Sequence, residues 1–304
     1  MTLISICIIT FNHENFILQC LESIKAQTYK NFELIISNDA SKDNTDQVIQ
    51  EFIRQNPNLN IQYFNQAHQL GITKNCNFVL SKASGKYFAL MAGDDIMMPE
   101  RFEKQFNALE NCPEASFCYS NCEWFSSKSG KKLFNHFGWF QKRPETLIDL
   151  ISDNTIPTPT MMIRKSMIPK FGFDERLDYF SDFKMAIDLW LNGKPVYLSD
   201  CLIRYRKHGL SITANNNFID DRKTLLDIFI NEFSAVDGVA EAIRNYSMIT
   251  SCANAKELIS NKEFKNAILE FYKIISYSFK SMKWFLRIIM LISCFPRAFF
   301  SKSK

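Results

Sequence analysis

Residues 3–37, LISICIITFNHENFILQCLESIKAQTYKNFELIIS, decide the class of fold. Leu3–Thr10 and Phe32–Ser37 are continuous apolar, β-branched runs, the pattern of strands that are buried on both faces. Between them, Glu14–Gln27 carries apolar residues at helical spacing. The stretch therefore predicts one β-α-β unit and, with it, a parallel sheet.

The same alternation continues toward the middle of the chain. Helices are predicted over Asp43–Gln55 and Ile72–Ser81, and strands over Asn60–Phe64 and Tyr87–Ala92. Such repeats predict an α/β fold with a Rossmann-like, doubly wound, mainly parallel sheet. Beyond Pro99 we predict a helix to about Asn111, a strand over Ala115–Ser120 and a long polar loop over Glu123–Arg143. A helix over Pro144–Ile151, an apolar segment over Thr160–Ile163 and a helix over Asp182–Leu191 should follow. Two strands near Val196 and Ile203 are predicted next, and only helices from Phe218 onward.

Composition excludes several classes of protein. The 304 residues are 46% hydrophobic and 22% charged, which predicts a packed globular body and not a disordered chain. The net charge of +4 is too small to indicate a nucleic-acid partner. Nine cysteines without a signal peptide predict reduced thiols in the cytoplasm, and the spacing of Cys112, Cys118 and Cys122 does not fit a zinc site.

Three polar segments follow predicted strands, at Thr10–His13, Asn38–Asp43 and Ala92–Asp95. Ligands of doubly wound sheets bind outside the carboxyl ends of the strands, so we expect these segments to meet in one crevice. The glycine-rich phosphate motifs of dehydrogenases and P-loop kinases are absent. The carboxylates of Asp94 and Asp95 suit a hard divalent cation, although capping of the following helix is an alternative role for them.

The segments at the strand ends and those around them resemble the family 2 glycosyltransferases, which have the GT-A fold and, in bacteria, build surface polysaccharides. The matching segments are Ile4–Asn12, Ser23–Tyr29, Phe32–Thr45, Gly71–Asn77, Ala83–Tyr87 and Ala92–Asp95, in the family's order and spacing. Phe11 replaces the family's usual Tyr, and Asn38 stands where the first Asp of D-D-x-S often is. Ala92 replaces the first Asp of D-x-D-D.

The resemblance extends into the second half of the chain. Phe173–Leu177 followed by Ser181 and Asp182 resembles F-D-E-x-L and an E-D pair, whose Asp is the catalytic base of inverting members. Tyr205–His208 followed by Ser211 resembles Y-R-x-H-x-x-S, whose His completes the metal or diphosphate site. Asp182 at a helix N-cap is the alternative role for that carboxylate.

The resemblance implies a set of site residues and a mechanism. Asp182 would deprotonate the acceptor hydroxyl, which attacks the anomeric carbon of a nucleotide sugar with inversion. The cofactor would be Mn²⁺ or Mg²⁺. The implied metal ligands are Asp94, Asp95 and His208, and the implied donor-binding residues are Thr10, Phe11, Asn12, Asp39, Ser41, Lys74, Asn77 and Asp94. His13 is a further candidate for the donor, although a turn histidine more commonly makes only local hydrogen bonds.

The resemblance also divides the chain. Residues 1–98 would form the nucleotide-sugar-binding half of the GT-A domain, residues 99–215 the acceptor-binding half, and residues 216–304 a helical extension. The last 34 residues, 271–304, contain seven Lys and Arg and no Asp or Glu. We expect residues 279–304 to form a basic amphipathic helix on an anionic membrane surface. Packing on the catalytic body or a dimer contact is the alternative.

The predicted function is inverting transfer of a sugar, with a UDP-sugar favoured as donor, to a glycan or lipid-linked acceptor. The predicted location is the cytoplasm, peripheral on the inner face of the plasma membrane. Two alternatives stay open. A nucleotidyltransferase is disfavoured because no glycine-rich basic loop follows the first strand, and a catalytically inactive nucleotide-sugar-binding scaffold would account for the missing first Asp at Ala92.

Overall fold

The computed structural model describes residues 3–138, 141–153, 155–209, 218–260, 263, 266, 267, 269 and 270. The chain divides into two compact units, one of residues 1–150 with 154–215 and the other of residues 151–153 with 216–304. The first unit carries the sheet and all the predicted site residues.

The strands within the described residues are β1 (Ile4–Thr10), β2 (Phe32–Asn38), β3 (Ile61–Asn65), β4 (Tyr87–Ala92), β5 (Ile96–Met97), β6 (Phe117–Ser126), β7 (Lys132–Asn135), β8 (Met161–Arg164) and β9 (Val196–Lys207). The helices are α1 (Ile17–Lys25), α2 (Thr45–Gln55), α3 (Ile72–Lys82), α4 (Arg101–Glu110), α5 (Leu147–Ser152), α6 (Ser181–Asn192), α7 (Ile219–Glu232) and α8 (Val239–Ser260). A 3₁₀ turn at Thr158–Thr160 leads into β8.

The strands form one mixed sheet in the order β3-β2-β1-β4-β8-β6-β9-β5, and β7 pairs with β6 alone. The pairs β2–β3, β1–β2, β1–β4 and β6–β9 are parallel, and β8 runs antiparallel to both of its neighbours. The parallel first half confirms the predicted β-α-β repeats. Its central strands are buried along nearly their whole length, as parallel strands covered by helices on both faces must be.

The fold differs from the sequence prediction in two places. The polar stretch Glu123–Arg143 is not a continuous loop, because β6 extends through Ser126 and forms a hairpin with β7. The two strands predicted near Val196 and Ile203 are one strand, β9, which keeps pairing with β6 across irregularities near Asn121. The second difference arises from the long β6–β9 pairing, which puts Trp124 opposite Tyr205 and brings Arg204 Nε within 2.9 Å of Glu123 Oε1.

The second unit is helical in the part that the structure describes. Helices α7 and α8 pack through aromatic side chains, with the ring centroids of Phe229 and Tyr246 5.2 Å apart. Among the described residues, every helix is too short or too polar to cross a bilayer. The predicted amphipathic segment, residues 279–304, lies outside the described residues.

Candidate active site

The loops after β1 and β2 are joined by hydrogen bonds at the carboxyl ends of the two strands. The Asn12 backbone N–H donates to Ser41 Oγ (2.8 Å), and Asn12 Oδ1 accepts from the Lys42 N–H (2.9 Å). Asn12 adopts a left-handed conformation with φ of 54°, which Asn tolerates better than most residues. The two loops therefore form one wall, and Thr10 lies at its base, 3% exposed.

Asp39 shapes the neighbouring part of this crevice. Its carboxylate accepts from the backbone N–H groups of Leu70 (2.7 Å) and Gly71 (3.1 Å), so it positions the loop that leads into α3. Asn38, which stands in the place of the family's first Asp, donates through Nδ2 to Asn65 Oδ1 (3.0 Å). Its Oδ1 accepts from Ser41 Oγ (2.5 Å). An uncharged amide here thus links β2 to β3 and to the Ser41 loop.

The end of β4 is packed against β1 so closely that only glycine fits at position 93. A Cβ atom on Gly93 would lie 2.6 Å from Thr10 Oγ1 and 2.8 Å from Ile17 Cδ1. Real Cβ atoms do not approach other atoms so closely, so any larger residue would push β4 away from β1. Gly93 therefore fixes the position of the two carboxylates that follow it.

Asp94 lies between two histidines. Its Oδ2 is 3.0 Å from His208 Nε2 and 3.9 Å from His13 Nε2. Burial alone would raise the pKa of Asp94, but the His208 hydrogen bond and the two nearby imidazoles lower it. Asp94 is therefore ionised at neutral pH. Burial lowers the pKa of His13, whose Nδ1 lies 3.2 Å from Thr10 Oγ1.

Asp95 points the other way, into the protein. It is 2% exposed, and its Oδ1 accepts from the Arg206 backbone N–H (2.8 Å). Burial and the neighbouring Asp94 charge raise its pKa. The Arg206 guanidinium donates from Nε to the Asp94 carbonyl (2.6 Å) and from Nη2 to Gln19 (2.7 Å). Asp95 and Arg206 thereby fasten β9 to the end of β4.

The donor set fits a divalent cation held by two protein side chains. Among the described residues no three His, Cys, Asp or Glu side chains converge as a metal cluster. Mg²⁺ and related cations commonly use one or two side chains together with water and substrate phosphate oxygens. The ionised Asp94 and the His208 imidazole supply such a pair. Within the described part of the chain, the buried His208 Nδ1 has no hydrogen-bond partner.

Asp182 lies in the first turn of α6. The Thr158 hydroxyl donates a hydrogen bond to Asp182 Oδ2, and the Phe183 N–H lies 2.6 Å from Oδ1. The start of α6 is attached to α3, because Thr73 Oγ1 lies 2.7 Å from Ser181 Oγ and 2.5 Å from the Leu177 carbonyl oxygen. Asp182 is half-buried, and the hydrogen bonds to both of its carboxylate oxygens fix its orientation.

The remaining predicted donor residues differ in their surroundings. Lys74 is exposed in the first turn of α3, and Phe11 is half-buried in the loop after β1. The Asn77 amide is engaged at both ends by the turn before α6, donating to the Phe173 carbonyl (2.9 Å) and accepting from the Phe173 N–H (2.7 Å). A donor contact by each of these three residues stays a prediction.

Sequence reasoning missed two residues that hold the site together. Thr158 has no local signal, because its link to Asp182 spans 24 residues. Arg206 belongs to the quoted Y-R-x-H segment, and that motif was the available signal for its role. Its contacts with Asp94 and Asp95 span more than a hundred residues and depend on the pairing of β5 with β9.

Comparison with known proteins identifies the class first. The Staphylococcus aureus protein TarS, residues 1–349 in complex with UDP-GlcNAc, superposes with a TM-score of 0.64 at 18% identity, covering 97% of this chain and 82% of that one. The mannosyltransferase PcManGT of Pyrobaculum calidifontis, solved with GDP-Man and Mn²⁺, superposes with a TM-score of 0.62 at 13% identity. This match covers 95% of this chain and 79% of that one. The fold is therefore that of the GT-A glycosyltransferases.

Sequence comparison then defines the family. The family model described as Glycosyl transferase family 2 matches residues 5–170. An uncharacterised glycosyltransferase of Rickettsia typhi is 30% identical over 241 residues, covering 76% of this chain and 73% of that protein. An uncharacterised glycosyltransferase of Haemophilus influenzae is 26% identical over 296 residues, which cover 94% of this chain and 90% of that protein. The chain belongs to glycosyl transferase family 2, as its motifs predicted.

Proposed function

We propose that the protein is an inverting, metal-dependent glycosyltransferase that moves a sugar from a nucleotide-diphosphate sugar to a hydroxyl of a glycan or lipid-linked acceptor. The observation that carries this proposal is the paired, ionised Asp94 beside His208 at the crevice where β1, β2 and β4 end. A UDP-sugar is the favoured donor, which the TarS complex with UDP-GlcNAc supports, and the PcManGT complex makes GDP-mannose the competing candidate. We place the reaction in cell-surface polysaccharide biosynthesis.

The crevice between the first strands would bind the nucleoside. Asp39 keeps acceptor capacity beyond its two backbone N–H partners and would receive an N–H of the base. Thr10, Asn12 and Ser41 line the same wall and would contact the ribose or the base. Lys74 is exposed in the first turn of α3, where a cation beside the helix N-terminus would meet the diphosphate.

Asp94 and His208 would hold Mn²⁺ or Mg²⁺, with Asp94 as the closer ligand because Asp95 is turned toward the Arg206 N–H. When bound, the cation neutralises the charge that develops on the departing nucleoside diphosphate. Asp95 would then act through position, since its hydrogen bond to β9 keeps His208 next to Asp94.

Asp182 would accept the proton of the acceptor hydroxyl as that oxygen attacks the anomeric carbon. The bond from that carbon to the diphosphate oxygen breaks on the opposite face, so the configuration inverts. A carboxylate is a weak base, so it gains the proton only as the hydroxyl loses it in the transition state. Position is therefore decisive, and the Thr158 hydroxyl and the first turn of α6 provide it.

Calorimetry tests the donor site. Purified protein is titrated with uridine, guanosine and thymidine diphosphates, each with and without Mn²⁺. We expect one nucleotide to bind in a metal-dependent way, and we expect Asp94→Ala to lose that dependence. Asp95→Ala should retain part of it, since this carboxylate acts through the position of β9. Asp46→Ala, on α2, is the matched carboxylate control.

The outcomes separate the proposal from its alternative. Failure of every nucleotide to bind would contradict a nucleotide-sugar enzyme with this site. Metal-dependent binding without turnover of any tested donor would favour the inactive scaffold, in keeping with Ala92 at the position of the family's first Asp. Equal metal-dependent binding by wild type and Asp94→Ala would show that Asp94 does not bind the cation.

A further inference from the structure

The ring of His208 is held by a hydrogen bond at one end only. Its Nε2 lies 3.0 Å from Asp94 Oδ2, whereas the buried Nδ1 has no hydrogen-bond partner among the described residues. A histidine that binds a metal commonly donates its second ring N–H to another group, which fixes the orientation of the ring. A single hydrogen bond does not stop rotation of the imidazole about the line that joins it to Asp94, so the plane of the ring needs another restraint.

Phe16 packs against this imidazole. The ring centroids of Phe16 and His208 are 4.5 Å apart, with 45° between the two planes. The guanidinium carbon of Arg206 lies over the same Phe16 ring, 4.9 Å from its centroid. Aromatic rings at this separation attract each other beyond the burial of apolar area, and the guanidinium adds a cation–π contact. Phe16 therefore contacts both the end of β9 and the histidine that directly follows it.

The start of α1 uses one side for the core and another for the site. The helix buries four apolar residues, Ile17, Cys20, Leu21 and Ile24. Phe16, at the N-cap, and Gln19 both contact Arg206, whose Nη2 donates to Gln19 Oε1 (2.7 Å), so they lie together on the other side. Within the described part of the chain, the aromatic and cation–π partners of Phe16 are His13, His208 and Arg206. Phe16 therefore faces the candidate site.

The backbone that carries the Phe16 ring is itself fixed. The N–H groups of Phe16 and Ile17 both donate to the His13 carbonyl oxygen, at 2.9 Å each. The His13 N–H in turn donates to Thr45 Oγ1 (2.8 Å), in the first turn of α2. The turn from His13 to Phe16 is thus attached to two helices, and its ring can hold a neighbouring side chain in place.

We propose that Phe16 is a positioning residue of the proposed cation site, which holds the plane of the His208 ring so that Nε2 points at the cation beside Asp94. This inference rests on the proposed function, to which the cation belongs. By packing on the imidazole, Phe16 does what a second hydrogen bond does for other metal-binding histidines. Phe16 acts only through His208, because Mn²⁺ and Mg²⁺ take oxygen and nitrogen ligands and a phenyl ring offers neither.

Packing of the start of α1 is the alternative role for Phe16. That role predicts lower stability on truncation, with unchanged affinity for the cation. Phe106 on α4 provides the matched control, because it is also half-buried and its ring packs on Tyr29 (4.9 Å between centroids) and Tyr87 (6.0 Å), which are not site residues. Phe106→Ala therefore removes the same side chain from the same degree of burial without touching His208.

Mn²⁺ binding to the full-length protein tests the proposal. It is measured by water-proton relaxation, with UDP present in one series and GDP in a second. Phe16→Ala should weaken Mn²⁺ binding by about three- to tenfold, the effect of losing one aromatic contact. Phe16→Tyr should preserve the affinity, and Phe106→Ala should leave it unchanged. Thermal melting of each variant reports whether it is folded, and Phe16→Leu, which keeps the apolar volume but loses the ring, should also weaken Mn²⁺ binding.

A double-mutant cycle tests whether Phe16 acts through His208. Phe16→Ala combined with His208→Ala should bind Mn²⁺ as His208→Ala alone does, because no imidazole remains to be positioned. The same further loss in both backgrounds would show that Phe16 acts by another route and would overturn the proposal. Equal losses in Phe16→Ala and Phe106→Ala would overturn it as well, since the effect would then be one of general packing.

The imidazole C–H signals in NMR spectra give a readout that needs no metal. The His208 signals, identified by their loss in His208→Ala, should be shifted by the ring current of Phe16. In Phe16→Ala they should move toward the values of an unstructured histidine, while the signals of His136 stay in place. Unchanged His208 signals would overturn the positioning role, whatever the Mn²⁺ titrations give.

The wild-type titration distinguishes this failure from failure of the proposed function. If the wild type binds Mn²⁺ with one of the nucleotides and Phe16→Ala binds it equally well, the role of Phe16 is refuted and the proposed enzyme stands. If the wild type binds no Mn²⁺ with either nucleotide, the metal-dependent function is refuted, and with it the role of Phe16 toward a cation.

Discussion

At the scale of single residues, Asp182 and Thr158 form the unit on which the proposed chemistry depends. The carboxylate is held in the first turn of α6 by the Thr158 hydroxyl and the Phe183 N–H. The N-cap of α6 is Phe180, two residues before Asp182, so helix capping does not account for the hydrogen bond that Thr158 donates from a separate segment. A proton acceptor that must meet one hydroxyl needs such a fixed orientation.

Asp182→Asn is predicted to lower kcat by about 10²- to 10⁴-fold, because the amide cannot take the acceptor proton. The KM for the donor should stay near its wild-type value, since the nucleoside wall is formed by other residues. Steady-state kinetics with the donor found by calorimetry measures both constants.

Thr158→Val should lower kcat by about ten- to a hundredfold, the rate equivalent of one hydrogen bond to a charged group, and Thr158→Ser should restore it. An Asp182→Asn enzyme with full turnover would show that another group is the base.

At the scale of elements, Glu33 joins β2 to its neighbours. It is 3% exposed and accepts from Ser5 Oγ on β1 (2.5 Å) and from the N–H (2.6 Å) and hydroxyl (2.8 Å) of Ser84, in the turn before β4. Burial alone would raise the pKa of Glu33, but these donors together lower it. One carboxylate thereby fixes the spacing of three strands below the site.

Glu33→Gln is predicted to lower the free energy of unfolding by about 1.5–3 kcal/mol at neutral pH, because hydrogen bonds to a charged acceptor are lost. A carboxylate with a lowered folded-state pKa stabilises above its unfolded value of 4.5 and loses that effect as pH falls through the folded pKa. The difference between variant and wild type should therefore shrink below pH 4.5. Urea unfolding across this range measures it, and Glu51→Gln, on the exposed face of α2, is the control. If the difference in the free energy of unfolding between Glu33→Gln and wild type did not change with pH, the charge of the Glu33 carboxylate would be excluded as its source.

At the scale of the whole molecule, charge is unevenly distributed along the chain. Residues 271–304 carry seven positive charges, and the full chain has a net charge of only +4, so residues 1–270 are net negative at −3. A basic, aromatic-rich end joined to an acidic catalytic body suits attachment to an anionic surface.

Sedimentation with vesicles tests this attachment. Full-length protein is predicted to sediment with anionic vesicles and not with zwitterionic ones, and added salt should release it. A chain ending at Phe279 should remain in the supernatant, with its thermal stability unchanged. Equal sedimentation of both chains would rule out the tail as the anchor. Lower stability without any change in sedimentation would support packing of the tail on the protein.

The sequence by itself determined the parallel half of the sheet and the family. Each strand there is an apolar run between helices of regular spacing, and polar residues follow at the strand ends, so local patterns carry the information. Only the tertiary structure decided the long pairing of β6 with β9, the inward direction of Asp95 and the position of Trp124 opposite Tyr205. These depend on partners far apart in the chain, Asp95 with Arg206 and Trp124 with Tyr205, whose meeting is set by the pairing of β9 with β5 and β6. A local pattern carries no record of such pairings, because the energy that selects them is gained only when the sheet assembles.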